Sequence, residues 1–225
     1  MKKVLISILS LAVILSSSQP AACQNSSDNL DNLNEQLIQA ATHGDAAAVQ
    51  QLLDEGANIE AKTSFGYTAL IRAASSGSTE VVGLLLEKGA NIEAADNEGY
   101  TALIAAALAG NTEVVGLLLE KGANIEAADN NSDTALITAA FACRSDVVKL
   151  LLDKGANMEA KNKNGLTALI WAAFWGQTDV VKLLLDKGAN IDAKDNNGFT
   201  ALTMAETHPG QTDEVVKLLR EHGAH

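Results

Sequence analysis

The fold follows from one stretch that most of the chain repeats: Thr101-Ala-Leu-Ile-Ala-Ala-Ala-Leu-Ala-Gly-Asn-Thr-Glu-Val-Val-Gly-Leu-Leu-Leu-Glu-Lys-Gly-Ala-Asn-Ile-Glu-Ala-Ala128. Its opening Thr-Ala-Leu recurs at intervals of 33 residues, and the copies begin at Thr68, Thr101, Thr134, Thr167 and Thr200. A fixed period of this length is typical of stacked repeat proteins, in which each unit packs on its neighbours. The sequence therefore predicts one continuous array of short units.

Each unit follows the same physical plan, which is clearest in its second copy. Thr68 is a suitable N-cap for a short, alanine-rich first helix over 69–76, and Gly77 closes this helix in the left-handed conformation. We expect Thr79 to cap a second helix, in which a Val-Val-x-Leu-Leu run forms a buried face. Gly89 ends that helix, and an extended stretch leads to the next unit. Two helices this short cannot bury their apolar faces alone, so the units must stack.

The recurring motifs Thr-x-Leu-x-x-Ala-Ala, Val-Val-x-Leu-Leu-Leu, Gly-Ala-Asn and Asp-Asn-x-Gly-Tyr closely resemble the ankyrin repeat. The resemblance implies an all-α repeat solenoid of helix-turn-helix units joined by β-hairpin-like loops. We expect six stacked units, with a cap at each end: 30–62, 63–95, 96–128, 129–161, 162–194 and 195–225. Four units carry isoleucine in the usual histidine slot of that family, so apolar packing must replace the histidine hydrogen bonds: Ile71, Ile104, Ile137 and Ile170.

The fourth unit departs most from the others. Ser132 replaces the loop glycine, Cys143 replaces the glycine after the first helix, and Asp133 replaces the large residue before threonine. A residue other than glycine that is held at positive φ costs on the order of 1 kcal/mol. We therefore expect this unit to be the least stable interior one. Cys143 has no basic neighbour except Arg144, which favours an inert thiol over a reactive one.

The N-terminus has the three parts of an export signal over residues 1–22. Lys2 and Lys3 precede the apolar run Val4–Leu15, and a small, polar stretch follows over 16–22. An apolar helix of this length reaches only about 18 Å, which is too short for a bilayer core of about 30 Å. We therefore expect no membrane span and a protein that is exported to the periplasm or secreted.

Two outcomes of signal cleavage stay open. Pro20-Ala21-Ala22-Cys23 resembles the lipobox of bacterial lipoproteins, although Pro20 stands where that family usually has leucine. The resemblance implies that Cys23 is lipidated and that residues 23–29 form a polar tether to the membrane. The alternative is ordinary cleavage near Ala22 or Cys23, which gives a soluble product.

Composition and charge exclude several classes of function. A formal net charge of −12 disfavours nucleic acid and anionic lipid as partners, since phosphate binding needs basic patches. Two cysteines cannot form a disulfide framework or a four-ligand zinc site. The four histidines lie near the two ends without a nucleophile and carboxylate beside them, so we expect neither enzyme nor cofactor.

One column of carboxylates, with one member in each unit, raises the question of a metal site. We expect solvated surface, because calcium needs several oxygens around one ion and successive units stand too far apart. The column consists of Glu60, Glu93, Glu126, Glu159 and Asp192.

The placement of the aromatic residues is the main functional signal. All eight fall in a first helix or in the loop before it, the parts that resemble the concave binding face of ankyrin proteins. The alternative is that the rings fill gaps in an alanine-rich interior, and for Trp171 the two interpretations are evenly balanced. With Phe65 set aside, the predicted partner-binding residues are Tyr67, Tyr100, Phe141, Trp171, Phe174, Trp175 and Phe199.

These observations predict a non-catalytic, monomeric scaffold that binds a protein partner on its concave face of first helices and loop tips. The acidic rim favours a basic partner. One alternative is a secreted effector that acts on host proteins. Another is a small-ligand-binding protein or an enzyme with its site in the groove.

Overall fold

Twelve α-helices lie in residues 21–207, 210 and 212–225, the part of the chain that the computed structural model describes. No β-strand forms in these residues, and the loops contain only isolated bridges, Ala95 with Thr101 and Ala128 with Thr134. The all-α repeat solenoid is confirmed. The helices are Ala21–His43 (α1), Ala46–Asp54 (α2), Ala69–Ser76 (α3), Thr79–Glu87 (α4), Ala102–Ala109 (α5), Thr112–Glu120 (α6), Ala135–Phe141 (α7), Ser145–Asp153 (α8), Ala168–Phe174 (α9), Thr178–Asp186 (α10), Ala201–Ala205 (α11) and Asp213–Glu221 (α12).

The helices form two layers. The odd-numbered helices stack in a row, each against the next, and the even-numbered helices form a second row behind them. One apolar core runs between the layers from Leu37 to Ala224. The isoleucines in the histidine slot are almost completely buried, as apolar replacement requires: Ile71, Ile104, Ile137 and Ile170.

Threonine caps the first helices as predicted. The side chain of Thr68 accepts a hydrogen bond from the backbone N–H of Ile71 at 3.3 Å, and the same contact recurs at the start of α5, α7, α9 and α11. Gly77 closes α3 at φ +79°, in the left-handed conformation that the sequence predicts. Each cap satisfies a backbone donor that the short helix would otherwise leave unpaired.

The predicted N-cap at Thr79 is wrong. Thr79 is the first residue of α4, and Ser78 holds the N-cap position without a side-chain capping bond. In the third, fourth and fifth units the N-cap side chain reaches back to the preceding unit instead. Asn111 Nδ2 donates to the carbonyl oxygens of Ala74 and Ser75 at 2.9 Å each. This position therefore closes the C-terminus of the preceding unit's first helix and joins the two units.

Helix α1 begins earlier than the repeat pattern indicates. It starts at Ala21, so residues 23–29, interpreted above as a polar tether, belong to the same helix as Leu37. Residues 1–20, which hold most of the predicted signal, lie outside the described part of the chain, as do 208, 209 and 211.

The column of carboxylates is a ladder of hydrogen bonds between units. Oε1 of Glu60 accepts the backbone N–H of Asn91 at 2.7 Å, and Glu93 accepts that of Asn124 at 2.8 Å. Glu126 and Glu159 repeat the contact with Asn157 and Asn190. The expectation of plain solvated surface therefore missed the role of these side chains, because each carboxylate holds the loop of the following unit.

Two residues other than glycine sit at positive φ in the fourth unit. Ser132 has φ +64° and Cys143 has φ +57°, whereas the equivalent positions in neighbouring units are glycines. The conformation expected from the repeat alignment is confirmed at both. Each side chain stores backbone strain on the order of 1 kcal/mol.

Relief of this strain is testable. We expect Ser132→Gly and Cys143→Gly each to raise the free energy of unfolding by about 1 kcal/mol, reduced by the greater freedom of glycine in the unfolded chain. Urea denaturation followed by circular dichroism measures the change. Gly77→Ala is the reverse control and should destabilise, because a Cβ there would lie 2.9 Å from Oδ1 of Asn111. A loss of stability in both glycine variants would contradict the assigned strain.

The ladder gives a second prediction. Glu93→Ala removes a charged acceptor from the Asn124 N–H and should lower the free energy of unfolding by about 1 kcal/mol. Asp192→Ala is the matched control, because within the described residues the Asp192 carboxylate accepts no hydrogen bond. Its effect should stay within about 0.5 kcal/mol. Equal effects in the two urea titrations would show that the ladder does not contribute to stability.

Candidate partner-binding face

Four of the predicted aromatic residues form one closed group, which we call the aromatic cluster: Phe141, Trp171, Phe174 and Trp175. Ring centroids lie 5.5 Å apart between Phe141 and Trp171, and 6.1 Å apart between Trp171 and Phe174. The circuit closes through Trp175, at 5.1 Å from Phe174 and 6.2 Å from Phe141. All four contacts are edge-on, a favourable arrangement worth about 0.5–1.5 kcal/mol per pair beyond the area buried.

The repeat geometry brings these rings together. Phe141 ends α7, whereas Trp171 and Phe174 lie one turn apart on α9 and Trp175 is the C-cap of that helix. Because α7 and α9 are neighbours in the row of first helices, the ends of the two helices face the same side. The amide of Gln177 donates to the Phe141 carbonyl at 2.9 Å and fixes the two ends relative to each other.

The cluster is fixed in place yet open to solvent. Phe141 and Trp175 each keep 45% of their surface exposed, while Trp171 and Phe174 are half-buried. Trp171 also packs against the core, which supports the packing role of the two that the sequence left open, and part of its ring stays accessible. Large rings that support one another and remain accessible lose little entropy when a partner covers them.

Phe199 stands apart from the aromatic cluster. It is 42% exposed in the loop before α11, and its backbone N–H donates to Oδ1 of Asp195 at 2.8 Å. No ring contact joins it to the four rings within the described part of the chain. The structure therefore brings together four of the seven predicted residues and leaves Phe199 as a separate exposed ring.

Tyr67 and Tyr100 line a second feature, which we call the tyrosine groove. It has a volume of about 560 Å³ and lies between the loops and first helices of the second to fourth units. Sequence reasoning did not select Arg72 and Arg144, which line the same groove. The signal for both was available, since neither position carries arginine in any other unit. Phe65, 69% exposed, contacts Tyr67 with ring centroids 6.2 Å apart.

Negative charge surrounds the loop end of the tyrosine groove. Burial raises the pKa of the Tyr100 hydroxyl, and Asp129 adds the largest charge contribution in the same direction. Burial also raises the pKa of Asp133, which opposes the effect of a hydrogen bond from Asn162. Ionised carboxylates near a phenol disfavour its anion, so Tyr100 stays a neutral hydrogen-bonding group.

A compensating pair accommodates the unusual Asp133. Asn162 replaces the aspartate that starts the loop in the third, fourth and sixth units, and its Nδ2 donates to Oδ1 of Asp133 at 2.9 Å. Asp129 lies close by, almost completely buried. Its Oδ1 accepts the backbone N–H groups of Asn131 and Asp133, and its Oδ2 has no partner. An amide at position 162 thus avoids a third carboxylate beside the other two.

The described residues contain no group of three or more histidine, cysteine, aspartate and glutamate side chains that could hold a metal ion. Among the same residues, no helix combines the length and apolar character needed to cross a membrane.

A stacked two-layer array of short helix pairs defines a helical repeat protein. The family model of ankyrin repeats matches residues 37–129, 94–162 and 136–225, in three copies. The chain belongs to the ankyrin repeat family. Ankyrin repeats generally mediate protein–protein interaction and are typically non-enzymatic modules. No curated protein sequence matches the chain.

The Asp133–Asn162 pair yields a pH-dependent prediction. Asn162→Asp removes the donor to Asp133 and should lower the free energy of unfolding at pH 7 by about 1–3 kcal/mol. Because the folded-state pKa of Asp133 is raised, its protonation favours the folded state. The loss should therefore shrink as pH falls through the pKa values of these carboxylates.

Asp133→Leu supplies the control, because the fifth unit carries Leu166 in the equivalent position. In that background Asn162→Asp should cost less, and thermal denaturation from pH 7 down to about pH 4 measures both differences. A loss that is equal at all pH values, or equal in both backgrounds, would contradict the pairing.

Proposed function

We propose that the chain is a non-catalytic scaffold that binds a protein partner with its side of first helices and loop tips. The observation that carries the proposal is the aromatic cluster, four mutually packed rings with Phe141 and Trp175 well exposed. Interfaces concentrate binding energy in a few aromatic and arginine side chains near their centre. The cluster supplies such a centre, and Tyr67, Tyr100 and Phe199 extend the contact surface along the array.

Unit-to-unit comparison supports binding rather than packing as the reason for two of these rings. Phe174 and Trp175 occupy the places of Ser75 and Ser76 in the second unit and of Leu108 and Ala109 in the third. Those units close their first helices with small or less bulky side chains. Stacking alone therefore does not require a phenylalanine followed by a tryptophan.

Charge contributes to the proposed recognition at the rim. Glu98 and Asp133 lie on or near the loop tips, and the chain as a whole carries a net charge of −12. Such a rim favours basic segments of a partner and accelerates its approach, particularly at low salt. We propose that basic residues of the partner face the loops while apolar residues cover the rings.

We also propose that the protein works outside the cytoplasm, because residues 1–22 have the composition of an export signal. Cell fractionation of the native chain and of Cys23→Ser separates the possibilities. Release of the variant from the membrane fraction would indicate lipid anchoring, and an unchanged soluble fraction would indicate ordinary cleavage. Retention of both in the cytoplasm would overturn export. Recovery in the medium or in a host cell would favour the effector interpretation.

The binding site is tested by Phe174→Ala combined with Trp175→Ala. We expect affinity for the partner to fall on the order of 30-fold, because truncation of hot-spot residues typically costs 2 kcal/mol or more. The partner is the protein that crosslinks to the chain in its native cell. Pull-down and calorimetry measure its binding, and far-UV circular dichroism should show an unchanged helical content.

Leu30→Ala is the control, since this exposed apolar side chain lies on α1, away from the aromatic cluster and the tyrosine groove. It should leave affinity within about threefold, as most contacts away from a hot spot are nearly neutral. Unchanged binding by the double variant, or equal losses in the two proteins, would remove the aromatic cluster from the proposed interface.

A further inference from the structure

Arginine is scarce in this chain, and two of its three copies line the same groove. Arg72 and Arg144 both line the tyrosine groove, although they come from different units. The third, Arg220, forms an ion pair with Glu206 at 2.7 Å near the C-terminus. Within the described residues neither groove arginine has a carboxylate partner, even though acidic residues outnumber basic ones.

In both groove arginines the Nε–H group donates a hydrogen bond to a neighbouring unit. Nε of Arg72 donates to Oγ1 of Thr42 at 3.3 Å, and its guanidinium carbon lies 5.3 Å from the centre of the Tyr67 ring. Nε of Arg144 donates to the carbonyl oxygen of Leu108 at 3.1 Å. These contacts fix each side chain, while its terminal amino groups have no intramolecular acceptor in the described part of the chain.

A fixed guanidinium with unused donors matches an anionic oxygen pair. The terminal N–H groups form a planar fork that fits a carboxylate or a phosphate in two parallel hydrogen bonds. Because the side chains are already ordered, little rotamer freedom is lost on binding. The groove beside them has an apolar floor formed by Ala105, Leu108 and Ala109.

Acidic residues in the lining restrict the charge that the groove accepts. Asp96 and Glu98 also line the groove, and Oδ1 of Asp96 already accepts the N–H groups of Glu98 and Tyr100. Repulsion from these carboxylates is greater for a doubly charged phosphate than for a singly charged carboxylate, which favours the carboxylate.

We propose that the tyrosine groove binds an acidic side chain of the protein partner, with one of the two arginines, Arg72 or Arg144, as donor to its carboxylate. An apolar residue next to that side chain packs on the floor between Tyr67 and Tyr100. The proposal rests on the proposed function, since it assigns partner chemistry to a second part of the same side. The partner is then expected to present an acidic side chain in addition to the basic and apolar segments proposed above.

Selection from a phage-displayed library of random linear peptides on the purified full chain tests the proposal. We expect enriched peptides to share an aspartate or glutamate beside an apolar residue. Replacement of that acid by its amide in a synthetic peptide should weaken binding tenfold or more, about the worth of a charge-assisted hydrogen bond. The combined variant Arg72→Gln and Arg144→Gln should lose the acidic preference, whereas Arg220→Gln should keep it.

Each contrary result has a distinct meaning. The proposal is overturned if no peptide is enriched or if the enriched peptides lack an acidic residue. It is also overturned if the double arginine variant keeps the acidic preference. Tighter binding of a phosphoserine peptide than of its glutamate counterpart would overturn the choice of a carboxylate. If the double variant does not fold, the acid-to-amide comparison on the native chain still decides.

The aromatic cluster serves to separate this proposal from the proposed function. Phe174→Ala with Trp175→Ala should retain the acidic preference, because those rings do not line the groove. If the acidic preference depends on the two arginines but the Phe174→Ala, Trp175→Ala variant binds the native partner with unchanged affinity, only the aromatic site is refuted. If that variant loses affinity for the native partner but the peptides show no acidic preference, only the groove proposal is refuted.

Discussion

After α1, the first helices of this chain are too short to be stable by themselves, and the other features depend on how neighbouring units hold them. Helices α3 to α11 in that row contain five to eight residues, well below the about 12–15 that an isolated helix needs in water. Stability comes from alanine-mediated stacking, from threonine caps and from hydrogen bonds that cross between units. The glutamate ladder is the most regular of these, since each carboxylate holds the loop of the next unit.

Regular stacking leaves some positions free of any packing requirement, and these are where the chain differs between units. The side chains at the ends of the first helices vary from serine in the second unit to tryptophan in the fifth. The aromatic cluster and the two groove arginines use this freedom. The fourth unit contributes to both features. Phe141 of the aromatic cluster lies two residues before the strained Cys143, and Arg144 of the tyrosine groove directly follows Cys143. Strain of this kind often accompanies functional positions, and here the rigid neighbours on either side maintain it.

Most of the fold could be predicted from the sequence because its signals are periodic. Threonine and glycine mark the first helices at fixed intervals, and an alignment of the units identified Ser132 and Cys143 as residues at positive φ. Contacts between units were harder to predict, because they join side chains about 30 residues apart whose direction no local pattern reveals. Thr79 was therefore mistaken for a cap, and the glutamate column was taken for plain surface. The candidate site was partly predictable. The placement of the aromatic residues in the repeat indicated the rings, but the contacts that join four of them and the position of Arg72 and Arg144 in the groove could be seen only in the three-dimensional structure.

The chain supplies its own reporter for coverage of the aromatic cluster by a protein partner. Its only two tryptophans, Trp171 and Trp175, both belong to the cluster, so intrinsic tryptophan fluorescence reports on this site alone. Acrylamide quenching of the free chain and of its complex with a tryptophan-free fragment of the crosslinked partner is the most direct measurement. We expect a blue-shifted emission and clearly weaker quenching in the complex, because the partner shields the rings from the quencher. Quenching that stays the same when binding is complete would show that the partner does not cover the aromatic cluster.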